Sequence, residues 1–405
     1  MTGDPRPDFF FLPAWPPTGS ALLWVSLTLV LAGLLGELAF RSLRLPRVVG
    51  YATVGAIVAA FGEGISGGVM NPSLRLIVDL SLALLLFEMG SRINLRWLRR
   101  NPWLLATSLA EAALTFVLVH LTLVWFGVEA RIASAAAAIA IASSPAVVMR
   151  VAAEFNSSGQ VTERLILLTG LNMLYAVLAT NFVFGFLHAQ YAGSWITALA
   201  HPAYLLGGSA VVAALLALAV SQLSRRLDLL NENSTLLLLG MILLALSVTK
   251  MANLSTLIVP LLAGLILRNT SERPWVWPRH FGTAGGVLVL MLFVISGSVW
   301  SAESMAIGIG LGVAIIVTRQ LAKTAVVVAL SRPSGISVRQ GLALGLGLAP
   351  VSGAALVLLA DLQSLYPHFA ATLTHMIFSA IAILELAGPI AVHYALRMVR
   401  EDNIR

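Results

Sequence analysis

Apolar stretches of about 20 residues recur along the whole chain, and this pattern limits the possible folds more than any other feature. A helix rises 1.5 Å per residue, so each stretch is long enough to cross a hydrocarbon core of about 30 Å. Only 11% of the 405 residues are charged, whereas soluble domains carry about 25%. We therefore expect an all-α polytopic membrane protein that folds in the lipid bilayer.

Polar breaks divide the chain into thirteen candidate spans. These are 20–41, 47–62, 73–91, 103–127, 130–153, 162–188, 200–223, 234–250, 253–269, 280–299, 303–330, 337–361 and 371–397. Membrane proteins place lysine and arginine preferentially in cytoplasmic loops. If the N-terminus lies outside, 19 of the 25 basic residues fall on the cytoplasmic side and four fall outside. The pattern predicts a multi-pass protein of the inner (plasma) membrane with a cytoplasmic C-terminus.

The composition also excludes several classes of function. The net charge of +7 comes from basic residues in scattered short loops, so it does not indicate nucleic-acid binding. The absence of cysteine excludes disulfides and thiolate metal sites. No residues have the spacing of a metal site or a Ser/His/Asp set, so we expect neither an enzyme nor a cofactor. The expected domains are an extramembrane tail over 1–19, a transmembrane domain over 20–400 and a short cytoplasmic tail over 401–405.

Two spans contain a proline beside small polar residues near the middle of the membrane. In the fifth span Pro145 follows Ser143 and Ser144, and in the twelfth Pro350 precedes Ser352. Proline breaks a helix, and the freed backbone groups are tolerated in hydrocarbon only around a cavity or beside hydroxyl partners. The two spans are seven apart and so run in opposite directions. Either proline alone would indicate only a kink, but the matched pair predicts inverted repeats with two crossed discontinuous helices.

Charged residues inside spans are costly and require a partner or a function. Arg319 and Lys323 lie four residues apart in the eleventh span and therefore share one helix face. Lys323 either pairs with a carboxylate or extends toward the cytoplasm. Glu111, about two turns into the fourth span, is the acid placed most deeply. We expect Glu385 to lie close to a span end, as an interfacial or cap-like residue.

Five short motifs occur in order along the chain: Leu45–Tyr51 with Gly55, Leu84–Gly90, Ser143–Val148, Ala263–Leu265 and Glu385–Pro389. Together they resemble signatures of the monovalent cation:proton antiporter family, in its Kef-type and sodium/hydrogen-exchanger branch. The resemblance covers residues 20–400. It implies a homodimer in which a core domain with the crossed helices moves against a scaffold domain, and Lys323 looks like the family's membrane lysine.

The sequence departs from this family at one position. The resemblance places an essential aspartate in the helix after the first crossing, as the second residue of an Asn-Asp, Gln-Asp or Asp-Asp pair. Asn172 fits the first position, but Met173 stands where the aspartate is expected. Methionine binds neither a proton nor a cation, so the chemistry would depend on other groups, such as Glu111 with Lys323.

Three functions are consistent with these residues. The first is a Na⁺ or K⁺:proton antiporter that works by alternating access, with the monovalent cation and the proton as substrates, no cofactor, and the bilayer and a second copy of the chain as partners. Its candidate site residues are Ser143, Ser144, Pro145, Asn172, Glu111, Arg319, Lys323, Pro350 and Ser352. The second is an organic anion transporter, because the two cations without a facing aspartate would leave a positive midplane. The third is a transport-inactive membrane scaffold or sensor.

Overall fold

The structure is a computed structural model that describes residues 21–60, 72–192, 195–226, 232–270, 281–298, 300–351, 353–365 and 370–402. The regular elements in these ranges are helices. In chain order they are α1 (Ala21–Leu43), α2 (Arg47–Val58), α3 (Pro72–Arg92), α4 (Leu95–Arg100), α5 (Pro102–Trp125), α6 (Ala130–Ile141), α7 (Pro145–Glu154), α8 (Gln160–Ala192), α9 (Trp195–Arg226), α10 (Glu232–Met251), α11 (Ile258–Thr270), α12 (Phe281–Gly297), α13 (Ala302–Ala329), α14 (Val338–Gly347), α15 (Gly353–Leu365) and α16 (Ala370–Met398). The tail expected over 1–19 lies outside the described residues.

These helices agree with the predicted spans. Eleven spans coincide with one helix each, and the fifth and twelfth each coincide with a pair of shorter helices. Within the described ranges, seven helical stretches are long and apolar enough to cross a membrane by length and composition. The largest differences are at two helix starts. α9 begins at residue 195, before the predicted 200–223, and α11 begins at residue 258, inside the predicted 253–269. The prediction of an all-helical polytopic membrane protein is confirmed.

The fifth and twelfth spans are interrupted at the predicted places. α6 and α7 are separated by residues 142–144, and α14 and α15 by residues 348–352. Pro145 takes the first position of α7, where its missing N–H has no helical partner to lose. Pro202 and Pro389, in contrast, lie inside the continuous helices α9 and α16. Proline alone therefore does not decide whether a span breaks.

The two interrupted spans belong to a repeated pattern. α5, the half-helices α6 and α7, and α8 form one triplet of spans, and α13, the half-helices α14 and α15, and α16 form the other. Because the second triplet begins seven spans after the first, the two cross the membrane in opposite directions. This is the inverted repeat that the sequence predicts.

The helices pack in two groups. The crossing bundle consists of α5–α8 and α13–α16, which pack mainly against one another. The flanking bundle consists of α1–α3 and α10–α12, and α9 packs on both groups. The bundles meet where α2 and α12 contact α16 and where α3 contacts α7, α8 and α15. We call this contact surface the seam. It includes α7 and α15, the half-helices that begin directly after the two helix breaks.

Glycines hold the helices of the flanking bundle in close contact. A Cβ atom at Gly264 of α11 would lie 2.1 Å from the carbonyl oxygen of Phe87 in α3, and one at Gly90 would lie 2.2 Å from that of Leu261. Small residues at such positions let two membrane helices approach backbone to backbone. The contact between α3 and α11 therefore depends on the absence of side chains at both glycines.

Replacing Gly264 with alanine is expected to lower the stability of the fold. The added methyl group would overlap a backbone carbonyl that cannot move away cheaply, which costs roughly 1–3 kcal/mol. Thermal unfolding of the purified protein in detergent measures this change. Gly240→Ala in α10 is the matched control, since a Cβ there meets nothing within 4 Å. Equal melting temperatures for the two variants would contradict the proposed contact.

Candidate functional site

The two helix breaks touch each other near the centre of the crossing bundle. The backbone N–H of Ser144 donates to the carbonyl oxygen of Pro350 at 2.8 Å. The hydroxyl of Ser143 donates to the carbonyl oxygen of Leu348 at 3.0 Å. Ser144 also caps α7, because its side-chain oxygen accepts the N–H of Val147. Polar groups freed in each break therefore find partners in the other, and the predicted crossing of two discontinuous helices is confirmed.

Arg319 of α13 is inserted between the carboxyl ends of the half-helices α6 and α14. Its guanidinium donates to the carbonyl oxygens of Ala140 at 3.1 Å and Ala142 at 2.8 Å on one side. On the other side it donates to Ala349 at 2.6 Å and, weakly, to Leu348 at 3.5 Å. The residue is only 1% exposed. A helix carboxyl end carries about half a negative charge, so one cation here stabilises two such ends together.

Lys323, one turn further along α13, forms a buried ion pair. Its ammonium lies 2.9 Å from Oε2 of Glu111 in α5 and also donates to the carbonyl oxygen of Ile141 at 2.9 Å. Neither charged side chain is exposed. The alternative that Lys323 extends toward the cytoplasm is therefore wrong. The pairing with Glu111 is the one that the sequence suggested.

Several oxygen atoms near the breaks have no hydrogen-bond partner within the described residues. They belong to Glu111 (Oε1), Asn172 (Oδ1) and Thr115 (Oγ1), and all three side chains are buried. Asn172 of α8 uses its amide nitrogen instead, which donates to Ser143 at 3.4 Å. Unpaired carboxylate and carbonyl oxygens are the groups that replace the hydration shell of a monovalent cation. The surroundings of the first break are thus chemically suited to such an ion.

Eight predicted site residues fall among the described residues, and all of them lie at or beside the two breaks. Ser352 lies outside the described residues. Among those that are described, no group of three or more His, Asp or Glu side chains is placed to hold a metal ion.

Two polar cavities lie along opposite ends of α8. One has a volume of about 670 Å³ and reaches along this helix to Leu167; the other, of about 410 Å³, begins at Val177. Charged and amide side chains of the first are Arg92, Asn94, Asn101, Gln160, Glu163, Arg164 and Arg268. Polar side chains of the second are Arg75, Thr180, Asn181, His201, Lys250, Asn253, Ser255, Thr256 and Asp361. The intervening stretch, about 15 Å of helix, lines neither of these cavities and contains Asn172.

The second cavity adjoins a network of four charges that the sequence reasoning missed. Arg75 of α3 pairs with Asp361 of the half-helix α15, and its Nε lies 4.0 Å from Asp79. Lys250 of α10 lies 2.6 Å from Asp79, whose side chain is fully buried. These contacts join a half-helix of the crossing bundle to the flanking bundle. Chain spacing indicates only the pair of Arg75 and Asp79, which are four residues apart on α3. It gives no signal for Lys250 and Asp361, because these come from two other helices.

The expectation for Glu385 is wrong. The residue lies in the middle of α16 and is only 1% exposed, far from either end of the helix. Glu385 lies 14 residues into the predicted span 371–397, and this distance from both span ends already indicates a position deep in the membrane. Glu401 belongs to the tail expected over 401–405. Its carboxylate accepts the N–H groups of Val161 and Thr162 at the start of α8, so this residue packs against the helices.

The family assignment follows from the sequence profile. The profile described as "Sodium/hydrogen exchanger, transmembrane" matches residues 26–396, almost the whole chain. The chain belongs to the sodium/hydrogen exchanger family. This family consists of membrane transporters and not of enzymes. A search of curated proteins found no match to the sequence.

Solved structures of an exchanger with the same fold support this assignment. The sodium proton antiporter MjNhaP1 from Methanocaldococcus jannaschii, at pH 8, superimposes with a TM-score of 0.68 and 16% sequence identity over 94% of this chain and 98% of that chain. A second structure of MjNhaP1, determined by electron microscopy, gives a TM-score of 0.65 and 18% identity over 94% and 95% of the two chains. At this identity the similarity establishes the sodium/proton antiporter fold.

The exchanger fold places Met173 in a fully buried position next to Asn172. That Met173 replaces an aspartate typical of the family stays a prediction. Glu111 is linked to the crossing through Lys323. The ammonium of Lys323 pairs with the Glu111 carboxylate and also donates to the carbonyl oxygen of Ile141, at the end of α6.

Substituting Arg319 with glutamine is expected to destabilise the exchanger fold strongly. Each buried carbonyl left without a donor costs about 1–3 kcal/mol, and Arg319 serves at least three. Thermal unfolding in detergent is the measurement. Arg332→Gln, in the exposed turn that follows α13, removes the same charge from the surface and should change stability by no more than about 0.5 kcal/mol. If both variants unfold at the same temperature, Arg319 does not hold the crossing together.

Proposed function

We propose that the protein exchanges a monovalent cation, Na⁺ or K⁺, for protons by alternating access. The observation that carries this proposal is the buried Lys323–Glu111 ion pair at the carboxyl end of the half-helix α6. A charged pair this deep in a membrane protein is costly. In the proposed mechanism, Lys323 is the counter-ion that pairs with Glu111 whenever no transported cation is bound there.

In this mechanism the cation and the ammonium of Lys323 compete for Glu111. An arriving cation contacts the free Oε1 of Glu111 and the free Oδ1 of Asn172, and Lys323 loses its counter-ion. Arg319 is positive nearby and stays bound to the half-helix ends. The added positive charge then favours release of a proton from an acid in the membrane domain. Release of the cation reverses these steps, so the two fluxes are coupled.

The two polar cavities along α8 support alternating access. They lie along opposite ends of this helix, and the stretch between them, which contains Asn172, lines neither. A shift of the crossing bundle against the flanking bundle would open the site to one cavity at a time. We propose that these bundles are the core and scaffold of one transmembrane domain over residues 20–400, in a homodimer of the inner (plasma) membrane with the N-terminus outside and the C-terminus cytoplasmic.

The contacts of Arg319 and Lys323 argue against transport of an organic anion. Arg319 donates to backbone carbonyls of both half-helices, and Lys323 is held by Glu111 and Ile141. An anion would have to displace these acceptors in order to bind. Electrical recordings over a panel of anions would reveal such transport, and silence in every flux assay would favour the scaffold or sensor instead.

The exchange is tested by cation-dependent proton movement in liposomes that contain the purified protein and an internal pH dye. We expect Na⁺ or K⁺ to change the internal pH, and Glu111→Gln to abolish the change because it removes the only charge that pairs with Lys323 in the described site. Glu303→Gln, at an exposed acid in the first turn of α13, should transport like the natural protein. If Na⁺, K⁺ and Li⁺ all leave the dye unchanged, antiport is wrong.

Met173→Asp tests whether the chemistry depends on groups other than the family's aspartate. A new carboxylate beside Asn172 would compete with Glu111 for the same cation. We therefore expect the variant to reduce cation-driven proton movement at least several-fold in the same liposome assay. If activity instead appears only in Met173→Asp and is absent from the natural protein, Glu111 does not replace the aspartate.

A further inference from the structure

Glu385 is a second acid buried in the membrane domain, and the mechanism above does not use it. The residue is 1% exposed, and neither carboxylate oxygen has a hydrogen-bond partner in the described part of the chain. An unpaired, ionised carboxylate in such surroundings is strongly disfavoured. The protonated acid is the form that this packing accommodates.

The acid lies in the seam between the two bundles. Glu385 belongs to α16 of the crossing bundle. The hydroxyl of Ser296 in α12 of the flanking bundle is close enough to interact with its carboxyl group, but outside hydrogen-bond geometry. Ser296 is itself fully buried, and its hydroxyl also has no hydrogen-bond partner among the described residues. Two polar side chains thus face each other across a surface along which one bundle would slide past the other.

Glu385 is also close to the second helix break. A Cβ atom at Gly388 would lie 2.8 Å from the Cα of Pro350, so α16 packs directly against this break. Glu385 precedes Gly388 by three residues and therefore lies on the same face of α16, one turn away. A charge change at this carboxyl is near enough to the crossing to interact with the charges held there.

The inverted repeat relates the helix of Glu385 to the helix beside the cation site. α8 closes the first triplet of spans and α16 closes the second. Each of these helices carries a buried polar side chain well inside its length, Asn172 in α8 and Glu385 in α16.

Charged side chains on the surrounding helices do not pair with Glu385. The helices that pack on α16 are α2, α6, α7, α12, α13, α14 and α15. Their charged residues are Arg47, Arg131, Arg150, Glu154, Glu303, Arg319, Lys323, Arg339 and Asp361, with Tyr51 on α2, and α16 itself carries His375, His393, Tyr394 and Arg397. None of these groups forms a hydrogen bond with the Glu385 carboxyl. Its charge state is therefore controlled by burial, by Ser296 and by the more distant charges at the crossing.

We propose that Glu385, together with Ser296, is the proton-binding site of the exchanger, separate from the cation site at Glu111. This inference rests on the function proposed above and assigns the group that releases the proton. A cation bound beside Arg319 and Lys323 adds one positive charge to the crossing bundle. The Glu385 carboxyl then loses its proton to water on the side that is open, and the carboxylate offsets the added charge. Protonation from the other side restores the neutral acid after the cation leaves.

The decisive experiment is proton release from purified protein in weakly buffered detergent with a pH dye, on addition of Na⁺ and then K⁺. The natural protein should release about one proton per chain, and Glu385→Gln should release none. Isotopic Na⁺/Na⁺ exchange in liposomes, which needs no proton, should persist in Glu385→Gln, while uptake driven by a pH gradient is lost. Glu385→Asp, which keeps an acid, should restore part of that uptake.

Each other outcome identifies what fails. If the natural protein couples cation to proton but Glu385→Gln releases protons equally well, the acid is not the proton site and the proposed exchange stands. If Glu385→Gln loses isotopic exchange in the same proportion as driven uptake, the residue is only structural. Glutamine matches the protonated acid in size, so a variant that fails to fold also overturns the inference. If no cation moves protons in the natural protein, the proposed function itself fails.

Discussion

The packing of the membrane domain depends on how the two interrupted helices satisfy their freed backbone groups. Hydrocarbon supplies no donors, so carbonyls at a break must find them within the protein. Arg319 supplies several from one side chain and links both breaks in doing so. Pro202 and Pro389 lie in helices that stay continuous, although each is a proline in an apolar span. A helix thus breaks where a buried cation and small hydroxyl residues donate hydrogen bonds to the freed carbonyl groups.

The same arrangement explains why the midplane tolerates two basic residues close together. The half-helices α6 and α14 each end at the crossing with a partial negative charge, and the carboxylate of Glu111 adds a full one. Arg319 is neutralised mainly by backbone dipoles, whereas Lys323 is neutralised mainly by a side chain. The backbone carbonyls that bind Arg319 cannot be removed without breaking the fold. The carboxylate that binds Lys323, in contrast, can bind another cation instead. This difference assigns a structural role to Arg319 and a variable one to Lys323.

Much of the fold could be predicted from the sequence, because the length of an apolar segment and the distribution of arginine are local properties. The thirteen spans, the interruptions at Pro145 and Pro350, and the partnership of Lys323 with a carboxylate all follow from residues within one or two spans. The network of Arg75, Asp79, Lys250 and Asp361 could not be predicted, since it is assembled from three separate helices. Glu385 was misjudged for a different reason. Its distance from both span ends was visible, but whether a mid-span acid has a partner depends on the helix that packs against it.

The ion pair between Arg75 and Asp361 has a consequence for the medium in which the protein works. Its side chains are 31% and 43% exposed, so dissolved salt reaches them, unlike the fully enclosed pair at the crossing. Screening shortens the range of such interactions to about 10 Å at 0.1 M salt and about 3 Å at 1 M. The tie between a half-helix and the flanking bundle is therefore weaker in brine than in fresh water. A saline habitat would loosen this end of the molecule through ionic strength alone, whichever ion is present.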